Sequence, residues 1–109
     1  MTLTELQFAI KKNMEENGIK QTPVLMALGV CEEAGEMCHA ILKHEQRIGI
    51  CRDEISYRQK LMDAIGDTAI YLMQLCHEMG WDFETIIQDV GIMVLARNAG
   101  GYKKIRGEK

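Results

Sequence analysis

The segment TPVLMALGVCEEAGEMCHAILKH, residues 22–44, decides the fold, because it is long and apolar around most of its helical circumference. Thr22 is a favourable N-cap, and Pro23 stands at the first helical position, where its missing N–H costs no hydrogen bond. One apolar face holds Val24, Leu28, Cys31, Gly35, Cys38 and Leu42. We expect this face and a second apolar face of the same helix to be buried. The segment therefore predicts a helix with more than one buried side.

One further helix is predicted before this segment, over about 2–17, and two are predicted after it, over about 53–79 and 82–98. A basic tail follows over 99–109. Thr2 and Glu5 have the spacing of a capping box, and Asp82 is a favourable N-cap. Gly18 and Gly80 are suited to end the helices that precede them. No alternating strand pattern competes, so we expect an all-α fold in a single domain, residues 1–109.

The apolar content of the chain predicts an assembly. Hydrophobic residues make up 47% of 109 residues, and two helices that are apolar nearly all round are hard to bury in so short a monomer. We expect a four-helix bundle-like protomer that forms a homodimer or tetramer through its central helices. A compact monomeric bundle is the alternative.

Charge and cysteine content narrow the location and the partners. The net charge of −3 implies no general affinity for nucleic acid, although basic residues outnumber acidic ones after Arg97. The longest apolar runs are too short to cross a membrane, so no membrane partner is expected. There is no C-x-x-C pair, and Cys31 and Cys38 are interpreted as small core residues of a cytoplasmic protein.

Acidic residues interrupt the decisive segment. Glu32, Glu33 and Glu36 project from a common side of the predicted helix, and like charges at these spacings repel each other. No Lys or Arg stands three or four residues from Glu36 to compensate. A solvated acidic stripe is the simplest interpretation of such a group, and a second acidic pair argues against it.

That second pair, Asp63 and Asp67, lies in DAIGD on the next long helix. Its spacing and its glycine match those of EEAGE, so Gly35 and Gly66 are expected to let the two helices approach closely. Five carboxylates in one small volume are costly unless cations occupy them. Carboxylate oxygens without thiolates suit Mg²⁺, with Mn²⁺ possible.

A di-iron site is a rival interpretation. Glu36 and His39 form one Glu-x-x-His unit, which di-iron bundles use twice. The second unit is missing, because position 70, three residues after Asp67, is Ile. The carboxylate site is therefore preferred.

These two segments resemble the motifs of the MazG-like all-α nucleoside triphosphate pyrophosphohydrolase superfamily, which has E-x-x-E on one helix and E-x-x-D on the next. Glu33 and Glu36 match the first motif, and DAIGDTAIYLMQLC is similar to the family's second segment, with Gly66 and Asp67 in place. The resemblance spans about residues 18–104 and includes Ala96-Arg97-Asn98 at the end of the last predicted helix.

The resemblance implies Mg²⁺-dependent hydrolysis of a nucleoside triphosphate between the α and β phosphates, giving a monophosphate and pyrophosphate. It implies that Glu32 or Glu33 activates water. The implied metal ligands are Glu33, Glu36, Asp63 and Asp67, and the implied phosphate-binding residues are Arg97, Asn98, Lys103 and Lys104.

One position departs from the family pattern. Ala64 stands where the family has Glu, and Asp63 is the expected substitute, because a spacing of four also keeps an acidic pair on one helical face. The departure leaves open the number of metal ions. It also supports an alternative function, a non-catalytic helical module that binds nucleotides or assembles with a partner.

Overall fold

The computed structural model describes residues 1–99, which form four α-helices and a short 3₁₀ turn and contain no strand. The elements are α1 (Leu3–Glu16), α2 (Pro23–Gln46), the 3₁₀ turn (Ile50–Arg52), α3 (Glu54–Glu78) and α4 (Phe83–Asn98). The predicted all-α class is confirmed, and each helix begins and ends within two residues of its predicted bounds. Over residues 1–99, no helix combines the length and the apolarity that crossing a membrane requires.

The helix starts follow from the predicted capping residues. The Thr2 hydroxyl accepts a hydrogen bond from the Glu5 N–H at 3.0 Å, and the Glu5 carboxylate accepts one from the Thr2 N–H. The Thr22 hydroxyl accepts from the Leu25 N–H at 3.2 Å. These contacts satisfy backbone donors that have no partner inside a helix, and they therefore fix where each helix begins.

Helices α2 and α3 form an antiparallel hairpin. Near the turn, the His44 ring stacks on the Tyr57 ring with 3.8 Å between centroids. At the other end, the Tyr71 ring lies against the backbone of Gly29, so close that a Cβ on Gly29 would stand 2.3 Å from a ring carbon. The hairpin thus places the middle of α2 opposite the middle of α3.

Helices α1 and α4 pack on each other and on α3. The buried Gln7 side chain joins α1 to the connection between α3 and α4 and to the first residue of α4, because its amide N–H donates to the Trp81 carbonyl at 2.9 Å and its amide oxygen accepts from the Phe83 N–H at 3.0 Å. The Thr4 hydroxyl lies 2.9 Å from a carboxylate oxygen of Asp82 and 2.8 Å from one of Glu84, so it can donate its hydrogen to either. These contacts fix the start of α4 beside α1.

Helix α2 is covered on one side only. Within residues 1–99, no Cα atom of α2 comes within 8 Å of one in α1 or α4. The radius of gyration is 17.5 Å, whereas a compact domain of this size has about 13 Å. The described chain therefore does not close into a four-helix bundle by itself.

The structure corrects two predictions about small residues. Cys31 and Cys38 were expected in the core, but both are exposed, because the face of α2 that carries them points away from α3. Gly35 and Gly66 were expected at the helix contact, but a Cβ on either would meet no atom of residues 1–99 within 4 Å. The close approach occurs at Gly29 instead.

Candidate functional site

Three glutamates of α2 converge at mid-helix. One carboxylate oxygen each from Glu32, Glu33 and Glu36 can be chosen so that all three lie within 4.8 Å of one another. Their positions along the helix produce this, because residues three and four apart share a face. These three residues are called the acidic triad below.

Glu33 is the member of the acidic triad that faces α3. Its exposed fraction is 8%, and its Oε2 atom is buried without a hydrogen-bond partner among residues 1–99. The pKa of Glu33 is raised above its ordinary value, first by removal from solvent and then by the negative charges of Glu36 and Asp67. The fold therefore holds this carboxylate where its charge is poorly compensated.

The two aspartates of α3 adjoin the triad. Asp63 and Asp67 line a pocket of about 350 Å³ together with Glu36. Ala64, where the resemblance implied Glu, also lines this pocket and has an exposed fraction of 4%. The structure thus brings all five predicted acids to neighbouring positions, although the aspartates contribute no atom to the tight group formed by the triad.

A larger cavity of about 660 Å³ opens beside the acidic triad. Glu32, Glu33 and Asp67 form part of its wall, and Tyr71 forms another part. Most other lining residues are apolar, among them Met14, Ile19, Leu25, Met26, Leu28 and Ile70. Its volume is in the range of small-molecule sites, and its mixed wall suits a ligand with a flat apolar part and a charged part.

Gln21 is a residue of this cavity to which the sequence assigned no definite role. Both polar atoms of its amide are buried and have no hydrogen-bond partner in the described part of the chain. A buried amide without partners costs free energy, so a ligand that supplied a donor and an acceptor would be favoured. Gln21 precedes α2 in a loop, and nothing in the sequence signals that the polar atoms of its amide are buried.

The predicted phosphate-binding residues are not brought to the triad by the described part of the chain. Arg97 and Asn98 lie at the end of α4, which has no close contact with α2. Lys103 and Lys104 lie outside the described residues. Lys60, for which the sequence predicted no function, lines the pocket formed by Glu36 and the two aspartates. It forms no ion pair with another described residue.

The donor set fits a hard divalent cation. The grouped side chains offer carboxylate oxygens only, and the Oε2 atom of Glu33, which has no partner among the described residues, is a buried acceptor that a cation would satisfy. Within residues 1–99, His39 contributes no atom to such a group, so the rival di-iron set gains no support.

Comparisons with known protein families, curated proteins and solved structures gave no match.

Proposed function

We propose that this chain hydrolyses nucleoside triphosphates between the α and β phosphates, releasing a nucleoside monophosphate and pyrophosphate. The observation that carries the proposal is the position of Asp67. It lines both the acidic pocket and the larger cavity, so the carboxylates adjoin a space that a nucleoside would fill. A polyphosphate at the acids and a base in the cavity would then belong to one molecule.

The proposal includes Mg²⁺, with Mn²⁺ as a substitute, held by carboxylates of Glu33, Glu36, Asp63 and Asp67. A bound divalent ion neutralises charge on phosphate oxygens and lowers the pKa of water. Glu33 fits the role of metal ligand because its Oε2 atom is buried and has no hydrogen-bond partner in the described part of the chain.

Glu32 is the proposed acceptor of the proton from the attacking water, because it is exposed at the cavity wall, whereas Glu33 is buried. The water oxygen forms a bond to the α phosphorus, and the bond from that phosphorus to the bridging oxygen breaks. The electron pair leaves with pyrophosphate, and the proton passes to the Glu32 carboxylate.

The remaining contacts assign parts of the substrate to parts of the site. Gln21 would pair with the polar edge of the base, since any nucleobase offers a donor beside an acceptor. Lys60 would meet phosphate oxygens at the acidic pocket. Arg97, Asn98, Lys103 and Lys104 stay proposed phosphate-binding residues.

A homodimer or tetramer and a cytoplasmic location are part of the same proposal. Helix α4 has no buried side chain, and large apolar residues of α2, α3 and α4 are exposed in the described chain. Such surfaces usually mark contacts with other chains.

A second candidate is a helical module that binds nucleotides without hydrolysing them. The observation that favours it is Ala64, which occupies the side of α3 nearest to α2, where a fourth close carboxylate would stand. Loss of one metal-binding carboxylate can preserve nucleotide binding and abolish turnover.

Assay of the full chain against each ribo- and deoxyribonucleoside triphosphate, with Mg²⁺ and with EDTA, tests the proposal. We expect at least one nucleotide to give monophosphate and pyrophosphate in equal amounts, and only with the cation. Release of orthophosphate, or turnover in EDTA, would contradict it. Nucleotide binding without any product would favour the second candidate.

Two matched variants locate the activity. Glu36→Gln should lower kcat by at least about a hundredfold, because it removes a proposed ligand of the Mg²⁺ ion that would neutralise charge on the reacting phosphates. Glu45→Gln is the control, since Glu45 lies on the same helix, is exposed and forms no ion pair within residues 1–99. An equal loss of kcat in both variants would show that the activity does not depend on the acidic triad.

A further inference from the structure

Gln74 is a second amide side chain in the wall of the larger cavity. It lies on α3, its exposed fraction is 5%, and no hydrogen bond joins its amide to another residue among 1–99. Gln21 lines the same cavity, and both polar atoms of its amide are buried without a partner in this part of the chain. The cavity therefore has two carboxamides whose donors and acceptors the described residues leave unpaired.

Gln74 lies on the same face of α3 as Asp67. The two residues are seven positions apart with Tyr71 between them, and all three line the cavity. Seven residues correspond to about 10.5 Å along a helix. A nucleotide spans a similar distance from its α phosphorus to the far edge of its base. A nucleotide whose phosphates lay at Asp67 would therefore bring that edge to Gln74.

The two amides differ in how well purines and pyrimidines can satisfy them. Each carboxamide presents an N–H beside a carbonyl oxygen, so it pairs best with an acceptor next to a donor. A purine has two such pairs, because adenine has its amino group between N1 and N7, and guanine has N1–H beside O6 and its amino group beside N3.

A pyrimidine has fewer groups to offer. Cytosine has its amino group beside N3 only, and uracil has a single N3–H between its two carbonyl oxygens. Either base would satisfy one carboxamide and leave the other incompletely paired. Because an unpaired buried polar group weakens binding, the two amides together favour a purine.

We propose that the cavity is selective for a purine, and that Gln74 and Gln21 are its specificity-determining residues. One amide would bind each of the two donor–acceptor pairs of the base. The proposal rests on the proposed function for the position of the phosphates. It adds the class of base, which the hydrolysis by itself leaves open.

Binding of nucleotide analogues tests the selectivity without hydrolysis. The probes are the α,β-methylene analogues of ATP, GTP, CTP and UTP, whose α and β phosphorus atoms are joined by carbon, titrated calorimetrically into the full chain with Mg²⁺. We expect the purine analogues to bind at least about tenfold more tightly than the pyrimidine analogues, because they form one additional bidentate pair. Equal affinities, or a preference for pyrimidines, would overturn the proposal.

Gln74→Leu removes the amide and keeps a side chain of similar size. It should weaken binding of the ATP analogue by at least about tenfold and binding of the CTP analogue by less. The melting temperature should not fall, since the Gln74 amide forms no hydrogen bond within residues 1–99, whereas a merely structural role would lower it. Gln59→Leu, at an exposed position of the same helix, is the control that should keep both affinities.

Gln21→Leu should reduce the purine preference in the same way, and an unchanged preference in either cavity variant would overturn the proposal. Hydrolysis restricted to pyrimidine triphosphates would leave the proposed function standing and overturn the purine selectivity. Absence of both analogue binding and hydrolysis would overturn the two together.

Discussion

The inner face of α2 contains a buried carboxylate, whereas the outer face of the same helix exposes an unbroken apolar stripe. On the inner face, Glu33 is buried against α3 and one of its oxygens lacks a partner in the described chain. On the outer face, Val24 and Leu28 are more than half exposed. Each arrangement is unfavourable in an isolated chain, and the proposed partners are a cation at the inner face and a second chain at the outer face.

Asp67→Asn is expected to have the largest effect on the inner face. Asp67 lines both the acidic pocket and the cavity, so its neutralisation should lower kcat/KM by at least about a hundredfold and weaken Mg²⁺ binding. Product analysis and calorimetric titration with Mg²⁺ measure the two effects. Asp89→Asn, at an exposed acid of α4, should leave both unchanged. A fully active Asp67→Asn protein would remove the basis of the proposed function.

Gly29→Ala tests how closely the inner face approaches α3. The added methyl group would overlap the Tyr71 ring, which must shift, and we expect a loss of about 1–3 kcal/mol in the free energy of unfolding. Gly66→Ala is the matched control, because its site is open and alanine favours a helix by roughly 0.5–1 kcal/mol. Urea denaturation should therefore shift in opposite directions for the two variants. A gain in stability for Gly29→Ala would contradict the close contact.

Helix boundaries could be predicted from the sequence, whereas the contact partners of each face could not. Thr22 and Asp82 mark helix starts through local hydrogen bonds, which depend only on residues three positions away. The choice of inner face depends on α3, and α2 has apolar residues on both sides. Cys31 therefore resembled a core residue, and the contact at Gly29 gave no signal within the segment.

The candidate site was predictable in its acids and not in its surroundings. Like charges without nearby cations are visible in the amino-acid sequence, so the order of residues alone identifies the triad and the two aspartates. The burial of the Gln21 amide and the place of Lys60 depend on the packing of α1, α2 and α3. Such tertiary positions leave no periodic pattern in the sequence.

Asp63→Ala sharpens the comparison at the edge of the inner face. If Asp63 replaces the Glu that the resemblance implied at position 64, where Ala64 stands, its removal should weaken Mg²⁺ binding by about tenfold, or about 1.4 kcal/mol. The effect should be smaller than that of Asp67→Asn, since Asp63 lines only the acidic pocket. Calorimetric titration with Mg²⁺ decides the matter. Wild-type affinity would show that Asp63 takes no part.

The smallest effect concerns the charge of Glu33 in the absence of metal. Its pKa is raised in the folded chain above the ordinary value of 4.5, so ionisation costs more in the folded state than in the unfolded state. Below the ordinary value both states are protonated and no penalty exists. As the pH rises through the raised pKa the penalty develops fully, so the native chain loses stability over that window.

Glu33→Gln removes this penalty and should raise the melting temperature in EDTA at neutral pH. The gain should vanish near about pH 4, where glutamate is largely protonated in both states. Added Mg²⁺ should then stabilise the wild-type chain more than the variant, because only the wild type keeps the anionic ligand. Glu45→Gln, exposed on the same helix, should show neither effect. A gain in melting temperature that persisted unchanged at low pH would mean that the shape of the Glu33 side chain, and not its charge, destabilises the inner face of α2.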